Sequence, residues 1–311
     1  MTISGFTFLK NAEILAYPFK ESILSILPLV DEFIVNVGES DDNTLEEIRA
    51  LAKEYPKIKI LSSIWCEKMQ SKGYVYGQQK MIAQFQCSGD WAFYLEADEV
   101  LHEEDLPKIK SAMEAYLNDE EVEALAFSYK HFYGNAHTLA NSPAWYRSEV
   151  RAIKTKVRTY APDGLFWVVL DDSNKEGRYP QAILVNASIY HYGWVRNEDK
   201  MTLKHSLVAK YWQHKPNTYH YANVDPKILQ LFKGRHPKVI QTWLEEYSDF
   251  ASTTLFEANP SHKLTAREKR HRILMFLERY FGLDFSKKHY KKLQKSAIKS
   301  CCSSKGSCSC S

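Results

Sequence analysis

Several things are scarce in this 311-residue chain, and each scarcity narrows the field. No apolar run reaches the roughly 18 residues that mark a membrane-spanning helix. The N-terminal segment Met1 to Lys10 is apolar, but it has no basic flank and no small-residue cleavage site, so it is expected to be a first strand and not a secretion signal. Before residue 300 the only cysteines are Cys66 and Cys87, the isolated usage of a reducing compartment. The remaining four crowd into residues 300–311 without the paired CxxC framework of a zinc site. The formal net charge is only +3, too little to imply a partner by itself, and no internal repeat is present.

What is present fits a globular α/β protein, with 44% hydrophobic and 25% charged residues. The first half alternates in period. Residues 5–9, 33–37, 58–61 and 91–95 read as short buried strands. Residues 13–27, 43–55, 77–87 and 104–117 carry helical periodicity. Ser40, Asp41 and Asp42 are candidate caps for the second helix. This β-α-β-α order predicts a largely parallel sheet with helical crossovers. Beyond residue 122 the pattern changes: strands are expected at 124–132, 150–154 and 183–192, then a helix at 197–213, and mostly helix from 225 onward. The expected organisation is residues 1–122 and 123–224 as two halves of one domain, a helical basic extension at 225–299, and a disordered Cys/Ser-rich tail at 300–311.

The most informative stretch runs from Asp90 to Leu101, where an apolar strand stops abruptly in Glu96, Asp98 and Glu99. If the strand continues, alternation puts Glu96 and Asp98 on one face. Paired carboxylates beyond the carboxyl end of a central strand suit a hard divalent cation, which completes its shell with water and phosphate oxygens. The same acids also suit the N-terminus of the following helix.

Three further segments fall at strand ends: Lys10-Asn11-Ala12-Glu13, Gly38 to Thr44, and Gly77-Gln78-Gln79-Lys80. Taken in order with Glu96-Ala97-Asp98-Glu99, they resemble the nucleotide-sugar-binding half of family 2 glycosyltransferases, which have the GT-A fold, over about the first 120 residues. The segment Ile189 to Arg196 also resembles an element of some bacterial members. The sequence departs from the family pattern at Val37, where an Asp is usual, and at Glu96, where the metal motif usually begins with Asp.

The resemblance implies an α/β GT-A fold with a mostly parallel sheet, and an enzyme that transfers a sugar from a nucleotide-diphosphate sugar to a hydroxyl of a glycan or lipid-linked acceptor. It implies a Mn²⁺ or Mg²⁺ cofactor held by Glu96 and Asp98, with His191 as a late further ligand. Lys10, Asn11, Glu13, Glu39, Asp42 and Lys80 would border the nucleotide, and Arg196 suits the diphosphate. Lys10 and Lys80 read equally as solvated charge, and His191 as a core histidine. Inversion, usual in the family, needs a carboxylate base. Asp171 and Asp172, which follow an apolar segment, are the first candidates, and Glu99 could orient the acceptor. Asp163, Glu149, Glu198 and Asp199 stay open, and residues 171–174 also fit a polar turn. Among the aromatics between Tyr129 and Trp194, one or two are expected to stack on the acceptor.

A sugar-nucleotide nucleotidyltransferase would share the sheet and the acids, but Lys10-Asn11-Ala12-Glu13 lacks the glycines of its usual loop. A catalytically inactive, sugar-binding relative is the other alternative. Residues 263–299 are heavily basic, with apolar residues at helical spacing. They read as a half-packed surface helix or as a peripheral membrane contact at the inner face of the membrane of a cytoplasmic protein. Nucleic acid is not an expected partner, since no nucleic-acid module accompanies the charge.

Overall fold

The computed structural model describes residues 1–172, 174–212, 215, 218–248 and 254–295. The expectation of a disordered tail at 300–311 lies outside them. Strand β1 (Ile3–Leu9) leads through a turn to α1 (Phe19–Ile26), β2 (Glu32–Gly38), α2 (Thr44–Glu54), β3 (Ile58–Ser63), α3 (Tyr74–Gln84) and β4 (Trp91–Tyr94). Next come β5 (Glu99–Leu101), α4 (Leu106–Tyr116), β6 (Ala124–Tyr133), β7 (Thr138–Ala140) and β8 (Ser148–Lys154). A small sheet follows, β9 (Thr159–Tyr160), β10 (Val168–Asp171) and β11 (Asn174–Arg178). The 14-residue β12 (Gln181–Trp194) returns to the main sheet, and α5 (Glu198–Trp212) closes this part. The C-terminal part holds β13 (Leu229–Leu231), α6 (Gln241–Tyr247), α7 (Ala266–Phe281) and β14 (Lys291–Lys292).

The main sheet runs β13-β7-β6-β8-β4-β1-β2-β3, with β12 beside β6. Strands β3, β2, β1 and β4 are parallel, as are β6 and β12, while β8 is antiparallel to both of its neighbours. Strands from both sides of residue 122 therefore share one sheet. The mixed α/β architecture expected above is present, with helices in the C-terminal part.

Both faces of the parallel strands are covered, which explains their continuous apolar runs. Ile3, Leu9, Phe33, Val35 and Val37 point to the layer of α1, α2 and α4, with Ile23, Ile26, Ile48, Ile109 and Met113. Phe6, Ile34, Ala92 and Tyr94 point the other way, toward Ala83 of α3 and Trp167.

The helix expected at 13–27 begins only at Phe19. Pro18 precedes it, and Ala16 stands at φ +50°, a left-handed conformation incompatible with helix. Residues 11–18 instead form a compact turn. Asn43 is the N-cap of α2 and makes no side-chain cap bond; Asp42, just before it, accepts from the Thr44 N–H at 3.0 Å. No helix among the described residues is long and apolar enough to cross a membrane.

At the opposite edge from the strand ends, Glu32 is 7% exposed and accepts from Ser4 Oγ (2.6 Å), the Ser88 N–H (2.7 Å) and Lys59 Nζ (2.5 Å). Burial alone would raise its pKa, but the Lys59, Ser4 and Ser88 donors outweigh it and hold the carboxyl down to about 2. A carboxylate depressed by folding adds stability above its unfolded value, and that stability is lost as pH falls toward the folded one. Because Lys59 is 60% exposed and screened, the contribution is roughly 2 kcal/mol. Urea midpoints of Glu32→Gln should therefore fall less steeply than those of the wild type between pH 4.5 and 2. Parallel curves would show the network to be idle.

Candidate active site

Parallel strands β1, β2 and β4 end on one edge, with β1 central, so the order reverses there and leaves a crevice. Two loops are stitched together above it. The Asn11 N–H donates to Ser40 Oγ (3.0 Å), and the Ala12 N–H to Thr44 Oγ1 (2.8 Å). Asp42 accepts from the N–H groups of Glu13 (3.0 Å) and Ile14 (2.9 Å). Glu13 in turn accepts from the Asn43 N–H (3.0 Å), and the Asn11 amide is paired with Asp41. Asn11, Glu13 and Asp42 thus bind the two loops to each other. Beside them a cleft of ≈ 620 Å³ opens over the ends of β2 and β3, lined by Gly38, Glu39, Ser40, Asp42, Ser63 and Ile64. Glu39 stands exposed at its rim, and Lys10 lies 5.5 Å from the ring of Trp65, which packs on Gly38.

The strand carrying the acids ends at Tyr94, one turn before the carboxylates. Residues 96–99 form a turn closed by the Glu99 N–H donating to the Glu96 carbonyl (3.0 Å), so strand alternation does not set their directions. Ser22 Oγ of α1 also donates to the Glu96 carbonyl (3.0 Å), and the Tyr192 N–H donates to the Asp98 carbonyl (2.8 Å). The turn is therefore pinned from both sides.

Its three carboxylates have different fates. Glu99 is fully buried, bidentate on Arg151 (Nε 2.8 Å, Nη2 2.7 Å), and accepts from Tyr129 Oη (2.7 Å) and the Glu96 N–H (3.1 Å). Its oxygens are saturated, so the expected contact of Glu99 with an acceptor is not formed by this arrangement. Glu96, 29% exposed, meets Arg151 Nη2 at 3.1 Å. Burial and the nearby Glu99 charge push its carboxyl up to about 8 against the pull of Arg151.

Asp98 turns the other way. Its Oδ2 lies 3.4 Å from Lys204 Nζ, and its Oδ1 lies 3.6 Å from His191 Nε2. Burial opposes its charge, but the cationic Lys204 and Arg196 help outweigh it and leave the carboxyl below its ordinary value. Lys204, on α5, also donates to the Gly193 carbonyl (2.9 Å). Burial, reinforced by Arg196, pushes its ammonium down to about 8.

The tautomer of His191 follows from its neighbours. His131 Nε2 lies 2.7 Å from the Tyr146 carbonyl and must donate to it. Its Nδ1 then accepts from His191 Nδ1–H at 2.8 Å. Burial lowers the pKa of both rings, so both are neutral near pH 7. His191 Nε2 is left with a lone pair aimed at a carboxylate oxygen, an arrangement that repels unless a positive centre lies between. Gly193 keeps room beside them: a Cβ there would sit 2.6 Å from His191 Nε2 and 2.7 Å from Asp98 Oδ2. Asp98 and His191 therefore fit a divalent cation as two of its ligands. Among the described residues no group of three or more His, Cys, Asp and Glu side chains could hold an ion unaided, so water and phosphate oxygens would complete the shell.

Arg196 is 1% exposed and lies over the Tyr17 ring at 5.1 Å. Its Nη1 donates to the Leu15 carbonyl (2.6 Å), whereas Nε and Nη2 find no hydrogen-bond partner among the described residues. Two buried guanidinium donors without acceptors suit an incoming phosphate.

Three predicted residues lie elsewhere. Lys80 is buried under the sheet, 3.5 Å from the Trp167 ring centre and donating to the Gly164 carbonyl (3.1 Å), with burial pushing its amine well down. It reaches no open space. Asp171 and Asp172 pair with Arg178 and Arg158. They line a cleft with Glu123 and Lys154, and Lys154 pairs with Trp91 at the start of β4. That is the opposite end of β4 from the turn, so neither acid is brought to the site. Sequence reasoning missed His131, Arg151, Lys204 and Tyr17. Of these only Arg151 left a signal, as an arginine inside an apolar strand.

Residues 16–166 match the family model described as Glycosyl transferase family 2. No curated protein sequence matches the chain. Among solved structures, S. aureus TarS 1–349 in complex with UDP is similar at 16% identity, TM-score 0.34, over 46% of this chain and 39% of that one. Glucosyl-3-phosphoglycerate synthase from Mycobacterium tuberculosis, in complex with Mn²⁺, UDP and phosphoglyceric acid, is similar at 25% identity, TM-score 0.28, over 42% and 43%. The chain thus spans less than half the length of either structure. Residues 16–166, just under half of the chain, are thus similar to glycosyltransferase family 2.

Proposed function

We propose that the protein transfers a sugar from a nucleoside-diphosphate sugar to a hydroxyl of a glycan or lipid-linked acceptor, with a divalent metal and with inversion. The observation that carries this reading is the Asp98–His191 pair, two facing lone-pair atoms 3.6 Å apart beside Gly193, with Arg196 donors open next to it. When bound, Mn²⁺ or Mg²⁺ would be held by Asp98 and His191 and would supply Lewis-acid neutralisation of the departing diphosphate.

The chain's own groups do the rest. Arg196 and Lys204 face the diphosphate as fixed positive charge in a site closed to water. The stitched loops and the cleft at Gly38 to Ser40, with Glu39 and Lys10 at the rim, receive the nucleoside. Because the expected Asp stands as Val37, buried in β2, base contacts fall to the loop after it. Inversion requires a carboxylate to receive the acceptor proton. With Asp171 and Asp172 at the far end of β4 and Glu99 saturated, we assign that step to Glu96, which is half-buried beside Arg151. Tyr146 and Trp145, packed around His131 (ring centres 4.7 and 5.1 Å), offer aromatic faces to an acceptor sugar.

The test is hydrolysis of, or transfer from, a panel of nucleotide sugars with and without Mn²⁺, beginning with uridine donors. Mn²⁺-dependent turnover of at least one donor is expected, and failure of every donor to bind at millimolar concentration would end the proposal. A sharper version is Gly193→Ala, whose methyl fills the space between the two ligands. Mn²⁺ affinity should fall about tenfold or more, as typically follows when ligand geometry is disturbed. An unchanged Mn²⁺ titration by calorimetry would place the ion elsewhere.

A further inference from the structure

Helix α7 leaves several large apolar side chains in solvent. It is well formed, with a Thr265/Glu268 capping box at its start and Gly282 in a left-handed cap at its end, yet none of its residues is buried. Leu274, Met275 and Leu277 are half-buried, and the hydrogen-bonded contacts with the body are polar. Arg272 is bidentate on Asp225 (2.7 and 2.6 Å), Glu278 is bidentate on Arg147 (2.9 and 2.6 Å), and Glu268 meets His262 (2.9 Å).

At 3.6 residues per turn, Ile273, Phe276 and Tyr280 fall on one stripe on the side away from those anchors. They are 63%, 55% and 65% exposed, and further exposed apolar side chains follow at Phe281, the last residue of the helix, and at Leu283 and Phe285 beyond it. A contiguous exposed apolar patch of this kind marks an interaction surface. Lys269 and Arg270 are exposed on the same helix, with Lys269 at the stripe, and Lys287 and Lys288 follow its end, Lys288 paired with Asp284. Apolar side chains in the middle with cations around them complement a layer of anionic headgroups over hydrocarbon.

We propose that α7 and the segment through Phe285 dock this protein on an anionic lipid surface, with Ile273, Phe276, Tyr280 and Phe281 entering the acyl boundary. The inference does not depend on the donor site. It does bear on it, because Arg147, which anchors α7, follows Tyr146, whose carbonyl holds His131 and through it His191. A lipid-docked α7 thus holds the strand beside the site close to the membrane plane.

The test is co-sedimentation of the full chain with vesicles of phosphatidylcholine alone or mixed with phosphatidylglycerol. Binding is expected to the mixed vesicles only, weakening as salt screens the basic rim. The triple variant Ile273→Ser, Phe276→Ser, Tyr280→Ser should lower the partition coefficient by about tenfold or more. Its melting temperature should stay that of the wild type, because the three side chains are already in water. The proposal is overturned if the wild type stays in the supernatant with phosphatidylglycerol, or if the triple variant binds equally well. It is also overturned if light scattering shows a dimer that the same variant dissolves, which would make a second copy the occupant.

Discussion

Asp98→Asn is expected to lower metal-dependent transfer by about 100-fold or more, since a bound cation contributes several kcal/mol of transition-state stabilisation. The substitution removes the carboxylate that faces His191 Nε2 while keeping the size of the side chain. Loss of activity alone would not identify the cause, because Asp98 is also the buried counter-charge of Lys204 and Arg196. Two further readouts separate the roles. The Mn²⁺-induced rise in melting temperature should vanish, because a ligand stabilises only the state it binds. In the absence of metal the variant should itself be less stable, and Lys204→Met in the same background should recover part of that loss. Wild-type Mn²⁺ stabilisation in Asp98→Asn would refute the metal assignment outright.

The largest expected loss of stability belongs to Arg151→Met. Arg151 is wholly buried and is the shared partner of Glu96 and Glu99; it also donates to the carbonyl of Leu165 (2.9 Å). Burial works against its charge, but Glu99 and Tyr129 hold the guanidinium protonated. Removing it strands the Glu99 carboxylate in the protein interior, and breaking a buried pair in this way typically costs about 3–5 kcal/mol. Chemical denaturation measures the loss directly. The double variant Arg151→Met, Glu99→Gln should be more stable than Arg151→Met alone, because it removes the orphaned charge. If the second substitution makes matters worse, the pair is not the source of the cost.

These two residues also show what a sequence can and cannot disclose. Asp98 was visible because an apolar run ends just before it, and His191 because it lies near the end of another. Their partners were not visible. His131 meets His191 only because β6 and β12 are parallel neighbours in one particular register. Lys204 meets Asp98 only because α5 crosses over the end of β12. Neither relation has a local signature, since register and helix placement are set by packing between distant segments.

The pattern of a strand followed by acids was locally right at Asp171, which does end a strand. It misled because β10 lies in a separate three-stranded sheet, at the opposite end of β4. In the first helix, periodicity extended past its physical limit, because hydrophobic spacing does not register the left-handed turn at Ala16 or the restriction at Pro18. Periodicity worked best in the parallel strands, where burial on both faces writes itself into the sequence as an unbroken apolar run.

The bond from Arg196 to the carbonyl of Leu15 joins residues 181 positions apart, and Lys204 lies further along still. On a ribosome, the first four strands and their helices can pair as soon as they emerge, but the pocket stays without Lys204 until α5 has left the exit tunnel. Contacts of such long range are made late in folding, after the intervening chain has been ordered. The pocket is thus completed only after residue 212, a little over two-thirds of the way along the chain, has been synthesised. A fragment truncated before α5 would present Asp98 without Lys204.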